Sequence, residues 1–279
     1  MSLVSGARNY PTGRRGLRAR CLDATQQLRW AYKSETPPFS LKGVLNHCGV
    51  TEVRERLMDR DARLILEKQR LVIEVNRLFP FEHQRTSIAH EIGHIILNEC
   101  SGITRFTPCR GRAEEEALCD LIAENLLVPP WELQMFLKAS ARAADWQSSL
   151  QCSSLLKAAA HFQVPVDVIA RRILKDLRWL PRRVAIVWRL CRDSKSRSSR
   201  RALRISSACH SLPLSLVIPP SVIAPPASVI TKAFERAGTF LGKEILHLGR
   251  LHGKFAIEAM TFKSPGSGSP GVLSMLAPA

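Results

Sequence analysis

The sequence lacks the segments that secretion or a membrane span would need. Met1 to Arg20 hold five arginines and no acidic residue, but no apolar stretch follows, so no secretory signal is expected. No run is apolar for long enough to cross a bilayer. The best candidate, 212–230, is broken by Pro213, Pro219, Pro220, Pro225 and Pro226, which a spanning helix would not tolerate. Cys-x-x-Cys spacing is missing among the cysteines at 21, 48, 100, 109, 119, 152, 191 and 209, so neither a zinc ribbon nor a redox motif is indicated. A chain of 279 residues, 45% hydrophobic, can bury a core without disulfide staples. Reduced thiols and a cytoplasmic location are therefore expected.

Acidic charge is also scarce, with 24 Asp and Glu against 41 Lys and Arg, for a net charge of +17. The excess is concentrated: residues 171–204 hold thirteen Lys and Arg against Asp176 and Asp193. Such a block suits a phosphate backbone bound without sequence preference. It suits a solubilising surface or an acidic partner equally well.

Against these absences stands His90-Glu91-Ile92-Gly93-His94. Histidines four apart project from one face of a helix, one turn above each other. Two imidazoles so placed can close on one Zn²⁺. Glu91, beside the first, is placed to take the proton of an attacking water. Ile88, Ile92, Ile95 and Ile96 mark an apolar helical face, with Thr86 or Ser87 as the helix cap. Gly93 costs such a helix up to about 1 kcal/mol relative to alanine, and a glycine there would let another backbone come close. The same pattern also occurs by chance in buried amphipathic helices.

A third ligand is sought in Glu114 to Pro130, a second helical pattern with Leu118, Leu121, Ile122 and Leu126 on one face, ended by Pro129-Pro130. Glu116 and Asp120 are four apart and share a face. Glu116 is the favoured ligand and Glu115 the next. The alternative is an acidic first turn in solvent, stabilised by the helix dipole. Cys119, in the same helix, reads as buried packing.

Arg85-Thr86-Ser87-Ile88-Ala89-His90-Glu91-Ile92-Gly93-His94, followed by Glu116-x-x-Cys119-Asp120-x-x-Ala123-x-x-Leu126-Leu127-Val128-Pro129, resembles the ImmA/IrrE family of metallopeptidases. The resemblance implies zinc ligands at His90, His94 and Glu116, Glu91 as general base, and Asp120 as the acid that orients a ligating imidazole. Mn²⁺ suits the same donor set. It further implies a protein substrate, a helix-turn-helix repressor of the XRE type, cleaved to derepress stress or mobile-element genes. Asn98 departs from the pattern where many relatives have another histidine.

The fold class expected is α+β, in three parts. Residues 1–140 form a mainly helical, zincin-like peptidase domain with a small sheet, behind a disordered basic arm at 1–15. Helices at 16–32 and 41–48 lead in. A hairpin over Arg63–Asn76 turns near Lys68–Arg70 and sets a sheet beside the metal helix. An edge strand of such a sheet can hold an extended peptide. A loop over 99–112 crosses the cleft, and His83 is a candidate oxyanion or substrate contact.

Residues 141–180 form the second part, a helix-turn-helix-like pair turning at Gln163-Val164-Pro165. Arg171, Arg172 and Lys175 are its candidate nucleic-acid or partner contacts. Residues 181–279 form a small α+β domain: a strand at 182–190, a helix at 229–241, strands over 244–262 turning near 251–254, and a last strand at 272–276. Longer relatives in the family end in a GAF-like sensory domain, with which this order is compatible.

The leading expectation is a zinc endopeptidase that cuts a repressor. Two others stand beside it: a DNA- or repressor-binding regulator with a structural or vestigial metal site, and a toxin–antitoxin component.

Overall fold

The computed structural model describes residues 13–32, 38–102, 113–140, 146–147, 150–192, 201–212, 218–220, 222–263 and 269–279, without the side chains of Arg14 and Arg192. Most of the N-terminal arm, the loop 103–112 and the Ser/Arg run 193–200 lie outside these residues. The chain forms two compact units, 1–132 with 161–164, and 133–160 with 165–279. It is α+β throughout, with helices and two sheets.

In the first unit, α1 (Gly13–Ala31) buries Cys21, Ala24, Thr25 and Leu28, a stripe at three- and four-residue spacing. It packs on α3 (Phe81–Cys100) and α4 (Ala113–Leu127), which also pack on each other. Arg29 ties α1 down: its guanidinium donates to the Leu126 carbonyl and to the Glu132 carboxylate. A buried arginine is tolerable because both partners are present. The short helix α2 (Lys42–His47) precedes the sheet and buries Val44.

The sheet has β1 (Val50–Arg56), β2 (Ala62–Glu67) and β3 (Arg70–Asn76) in the order β1-β3-β2, with β1 parallel and β2 antiparallel to β3. The hairpin turns on two residues, Lys68 and Gln69, both at positive φ (46° and 67°), between Glu67 and its partner Arg70. That is the backbone a two-residue hairpin needs to match strand twist, here built without glycine or asparagine. Strand β1 is not anticipated from the sequence. Its residues are mostly charged and exposed, and Arg54 holds it by bonding Glu52 (2.7 Å) and Glu67 of β2 (2.8 Å). The helix α3 lies on β2 and β3.

Along the chain α5 (Pro130–Ser140) and α6 (Cys152–Phe162) follow α4. In the second unit, α7 (Val166–Arg171) continues into a π-turn over Arg172–Asp176. A five-stranded antiparallel sheet follows: β4 (Val184–Arg192), β5 (Arg201–His210), β6 (Thr239–Leu248), β7 (Leu251–Lys263) and β8 (Pro270–Pro278), in the order β5-β4-β8-β7-β6. The helix α8 (Val229–Arg236) is capped by Ser228, whose hydroxyl accepts from the Thr231 N–H. It adds Val229, Ile230 and Ala233 to the buried core that also holds Trp188, Ile257 and Leu276. Trp188 is fully buried and donates its indole N–H to Ser274 Oγ (2.8 Å), so its polar atom is not stranded.

Two expectations change here, and one strand is added. The helix expected over 229–241 stops at Arg236, because Ala237 turns left-handed (φ 50°) and the chain re-enters as β6. The hairpin turns at Gly249-Arg250, with Leu248 paired to Leu251, rather than near 251–254. Strand β5 was not expected, its alternation being masked by the arginines around it.

Candidate metal centre

The two histidines are delivered as their spacing demands. α3 is helical from Phe81 to Cys100, and the rings of His90 and His94 sit 5.0 Å apart between centroids. The helix starts earlier than expected, at Pro80 and Phe81 rather than at Thr86 or Ser87. The hydroxyls of Thr86 and Ser87 instead donate back to the Glu82 and His83 carbonyls, the usual refuge of such side chains inside a helix. Ile92 and Ile96 are fully buried, with Ile88 and Ile95 at the margin. Burying each such side chain is worth about 1.5–3 kcal/mol, which offsets the propensity cost of Gly93.

Glu116 comes to the histidines from α4. Its Oε2 lies 3.0 Å from His90 Nε2 and 3.7 Å from His94 Nε2. These three side chains form the one group of potential ligands, all within 4.8 Å of one another, found among the described residues. Ligands held tetrahedrally about 2.0–2.1 Å from Zn²⁺ stand roughly 3.3–3.4 Å apart, so the two distances bracket what the ion requires. Two imidazoles and a carboxylate are also the right donors, leaving a position for water or substrate. Zn²⁺ fits this site. Glu115, the other candidate, contributes negative charge near His94 but is not in the group.

Each imidazole has a partner on its far nitrogen. His90 Nδ1 is 2.9 Å from Asp120 Oδ1, an acceptor for an Nδ1 proton that would leave Nε2, 3.0 Å from Glu116, to a metal. His94 Nδ1 is 3.3 Å from Cys119 Sγ. Cys119 is more than packing: it is fully buried and also touches the second imidazole, a role that only its position one residue before Asp120 hints at. Burial pushes the His90 pKa down, but the bond to Asp120 and the charges of Asp120, Glu91 and Glu116 outweigh it, so His90 stands above the ordinary value. His94 lies below it, through burial and the neighbouring His90.

Removing the Asp120 carboxylate should leave the fold intact and weaken metal binding about 10–100-fold, the usual cost of losing such an orienting partner. Competition for Zn²⁺ between Asp120→Ala and a chelator measures this. Affinity equal to the parent chain would mean that His90 is held by packing alone.

Glu91 is buried and accepts a hydrogen bond from the Leu64 N–H of β2. Burial raises its pKa, helped by the charge of Glu116 and opposed by His90, the Leu64 bond and Arg60. A carboxylate held nearer neutrality is a better proton acceptor and donor than a free one. The helices meet closely at this level: a Cβ on Gly93 would stand 2.9 Å from the Cys119 carbonyl oxygen and 3.0 Å from its Cα.

His83 is not in that group of ligands. It lies in the first turn of α3, seven residues before His90, stacks on Phe79 (4.3 Å) and directs Nε2 to Asp61 Oδ2 (2.8 Å). The candidate nucleic-acid contacts also separate. Lys175 is exposed and Arg171 half-buried. Arg172 is a correction: at 2% exposure, with its guanidinium 3.5 Å from Asp176 in the same π-turn, it cannot present a charge to a phosphate.

Residues 46–174, from the end of α2 through α7, match the family model of the IrrE N-terminal-like domain, a peptidase family. Among curated proteins no sequence matches the chain. Among solved structures the chain is similar to a Mycobacterium tuberculosis transcriptional regulator, at 15% identity and a TM-score of 0.55, over 97% of this chain and 77% of that one. At that identity the likeness is one of fold. Among the described residues no helix is long and apolar enough to cross a membrane.

Proposed function

Residues 46–174 belong to the ImmA/IrrE family of metallopeptidases, and from that premise we propose that the chain is a zinc-dependent endopeptidase whose substrate is a helix-turn-helix repressor of the XRE type. The observation that carries the chemistry is the convergence of His90, His94 and Glu116, with Glu91 buried alongside. His90, His94 and Glu116 would hold the ion; Mn²⁺ would suit the same donors. When bound, Zn²⁺ supplies Lewis acidity toward a water and a scissile carbonyl.

Glu91 accepts the proton of the attacking water and returns it to the leaving amine. Asp120 keeps the His90 ring turned toward the site. Strand β2, at the edge of its sheet and bonded to Glu91 through Leu64, offers its main chain to an extended segment of substrate. A site on rigid helices beside an open strand needs selectivity from elsewhere. The helical pair α6 (Cys152–Phe162) and α7 would dock the repressor, and a GAF-like domain over 181–279 would carry the signal. Cleavage in the cytoplasm would then release stress-response or mobile-element genes.

The likeness to a transcriptional regulator and the net charge of +17 favour one second reading, a regulator that binds the repressor or DNA without cutting. One experiment separates them. The full chain loaded with Zn²⁺ or Mn²⁺ is incubated with an XRE-type repressor encoded beside it, and the products are read by mass spectrometry. A single discrete cut that a chelator abolishes is expected. An uncut repressor retained by the chain, or salt-sensitive DNA binding that survives metal removal, would sink the peptidase.

A further inference from the structure

In the second unit, the hairpin of β6 and β7 sets two histidines face to face. His247 and His252 are direct cross-strand partners, and both are exposed. The loop between the strands has two residues, Gly249 and Arg250. That makes Leu248–Leu251 a hydrogen-bonded pair and His247–His252 the non-hydrogen-bonded pair beyond it. The same alternation shows further along, where the Lys254 carbonyl turns away from β6 and accepts from the Ala279 N–H (3.0 Å). Non-hydrogen-bonded partners hold their Cα atoms about 4.5 Å apart, the closer of the two antiparallel spacings, so their side chains meet.

The rings of this pair lie 6.2 Å apart between centroids, with their planes 27° from parallel. A nitrogen about 2.0–2.1 Å from an ion puts its ring centre roughly 3.1–3.2 Å away, so one ion spans ring centres up to about 6.3 Å apart. The observed spacing is within that reach, and exposed rings can turn to shorten it. Neither imidazole makes a hydrogen bond or ion pair with another described residue, so the ring nitrogens are available. Two cations lie near: Lys254, paired with Ile245 on the same face, and Arg250 in the turn. Both are exposed on long side chains, where water and salt screen them.

We propose that His247 and His252 form a second metal site, a two-imidazole chelate for a late divalent transition metal, Cu²⁺ foremost. The donor set selects the ion. Among the described residues no third His, Cys, Asp or Glu joins the pair, so it offers two nitrogens and leaves the other positions to water. Mg²⁺ and Ca²⁺ want oxygen ligands and are poorly served. Among ions that take imidazole, affinity peaks at Cu²⁺, whose tetragonal geometry accepts two nitrogens and waters. The fixed strand register holds the second ring beside the first before an ion arrives, so binding at one becomes chelation by both. A bound ion ties β6, the edge strand, to β7 and stabilises the folded chain by mass action. These residues are separate from His90, His94 and Glu116, and the site does not rest on the peptidase reading.

The test is a Cu²⁺ titration of the full chain beside His247→Ala and His252→Ala, followed by chelator competition and electron paramagnetic resonance. The first centre is intact in all three proteins, so differences between them report the hairpin alone. The parent chain should bind one more Cu²⁺ than either variant, and the difference spectrum should carry the splitting of two imidazole nitrogens. Either substitution alone should weaken that ion by about 10²-fold or more, because each removes the whole chelate. Both side chains are exposed, and a melt of each metal-free variant should match the parent. A loss of only about twofold per substitution, or a one-nitrogen spectrum, would mean two independent surface histidines and overturn the proposal. Equal Cu²⁺ stoichiometry in all three proteins would overturn it as well.

Discussion

Replacing Glu91 by glutamine should leave a folded chain with a normal complement of metal and reduce repressor cleavage by at least about 10²–10⁴-fold, the usual contribution of a positioned proton-transfer group. The substitution keeps the shape of the side chain and the oxygen that accepts from the Leu64 N–H, so the contact with β2 survives. It also removes a carboxylate whose charge is disfavoured by burial and by the nearby Glu116, so stability should hold or rise. The three ligand side chains are untouched. Only proton transfer is lost. Metal-to-protein ratio, thermal melting and single-turnover cleavage separate these effects. A variant that keeps its metal and still cuts would move the base to another residue; one that loses its metal would mean Glu91 supports the ligands instead.

Much of this site is legible in the chain because helical spacing is a strong geometric constraint. Four residues make nearly one turn, so His90 with His94 and Glu116 with Asp120 each share a face wherever a helix forms. What the spacing does not carry is which helix face meets which, and that meeting decides the outer partners. Asp120 on His90 follows once α3 and α4 are packed, but Cys119 on His94 depends on how deeply they interlock. Its sulfur looks like ordinary filling in the sequence.

The sheets were less legible for a related reason. Strand β1 pairs parallel to β3 while its side chains mostly face solvent, so no alternation of apolar and polar residues announces it. The hairpin turn uses Lys68 and Gln69 at positive φ, where glycine and asparagine are the usual signals. Arg172 fails differently. A basic residue beside other basic residues looks exposed, yet the π-turn over Arg172–Asp176 carries it inside, where Asp176 meets it. Charge in sequence is no measure of charge at a surface.

The close approach of the two helices yields the other large effect, through Gly93→Ala. An added methyl group would sit 2.9 Å from the Cys119 carbonyl oxygen and 3.0 Å from its Cα. Both are backbone atoms, so no rotamer change relieves the clash and α4 itself must shift. Two stability terms oppose each other. Alanine gains up to about 1 kcal/mol of helix propensity over glycine, and overpacking of this kind costs about 1–3 kcal/mol. The net change in the metal-free chain should therefore lie between none and a loss of about 2 kcal/mol, read as a drop in melting temperature.

Metal binding has no such compensation. Cys119 sits in the middle of the residues that matter, between Glu116 and Asp120 on one helix, and both imidazoles meet their partners across the same interface. A shift of a few tenths of an ångström moves the carboxylate ligand and both orienting groups together. The expected loss in Zn²⁺ affinity is at least about the 10–100-fold attached to one orienting partner. Chelator competition beside a melt of the metal-free protein makes the comparison. Affinity falling with little loss of stability would show that Gly93 serves the site through helix spacing. Parallel losses would make it a packing residue, and unchanged affinity would mean that α4 has slack the contact distances do not suggest.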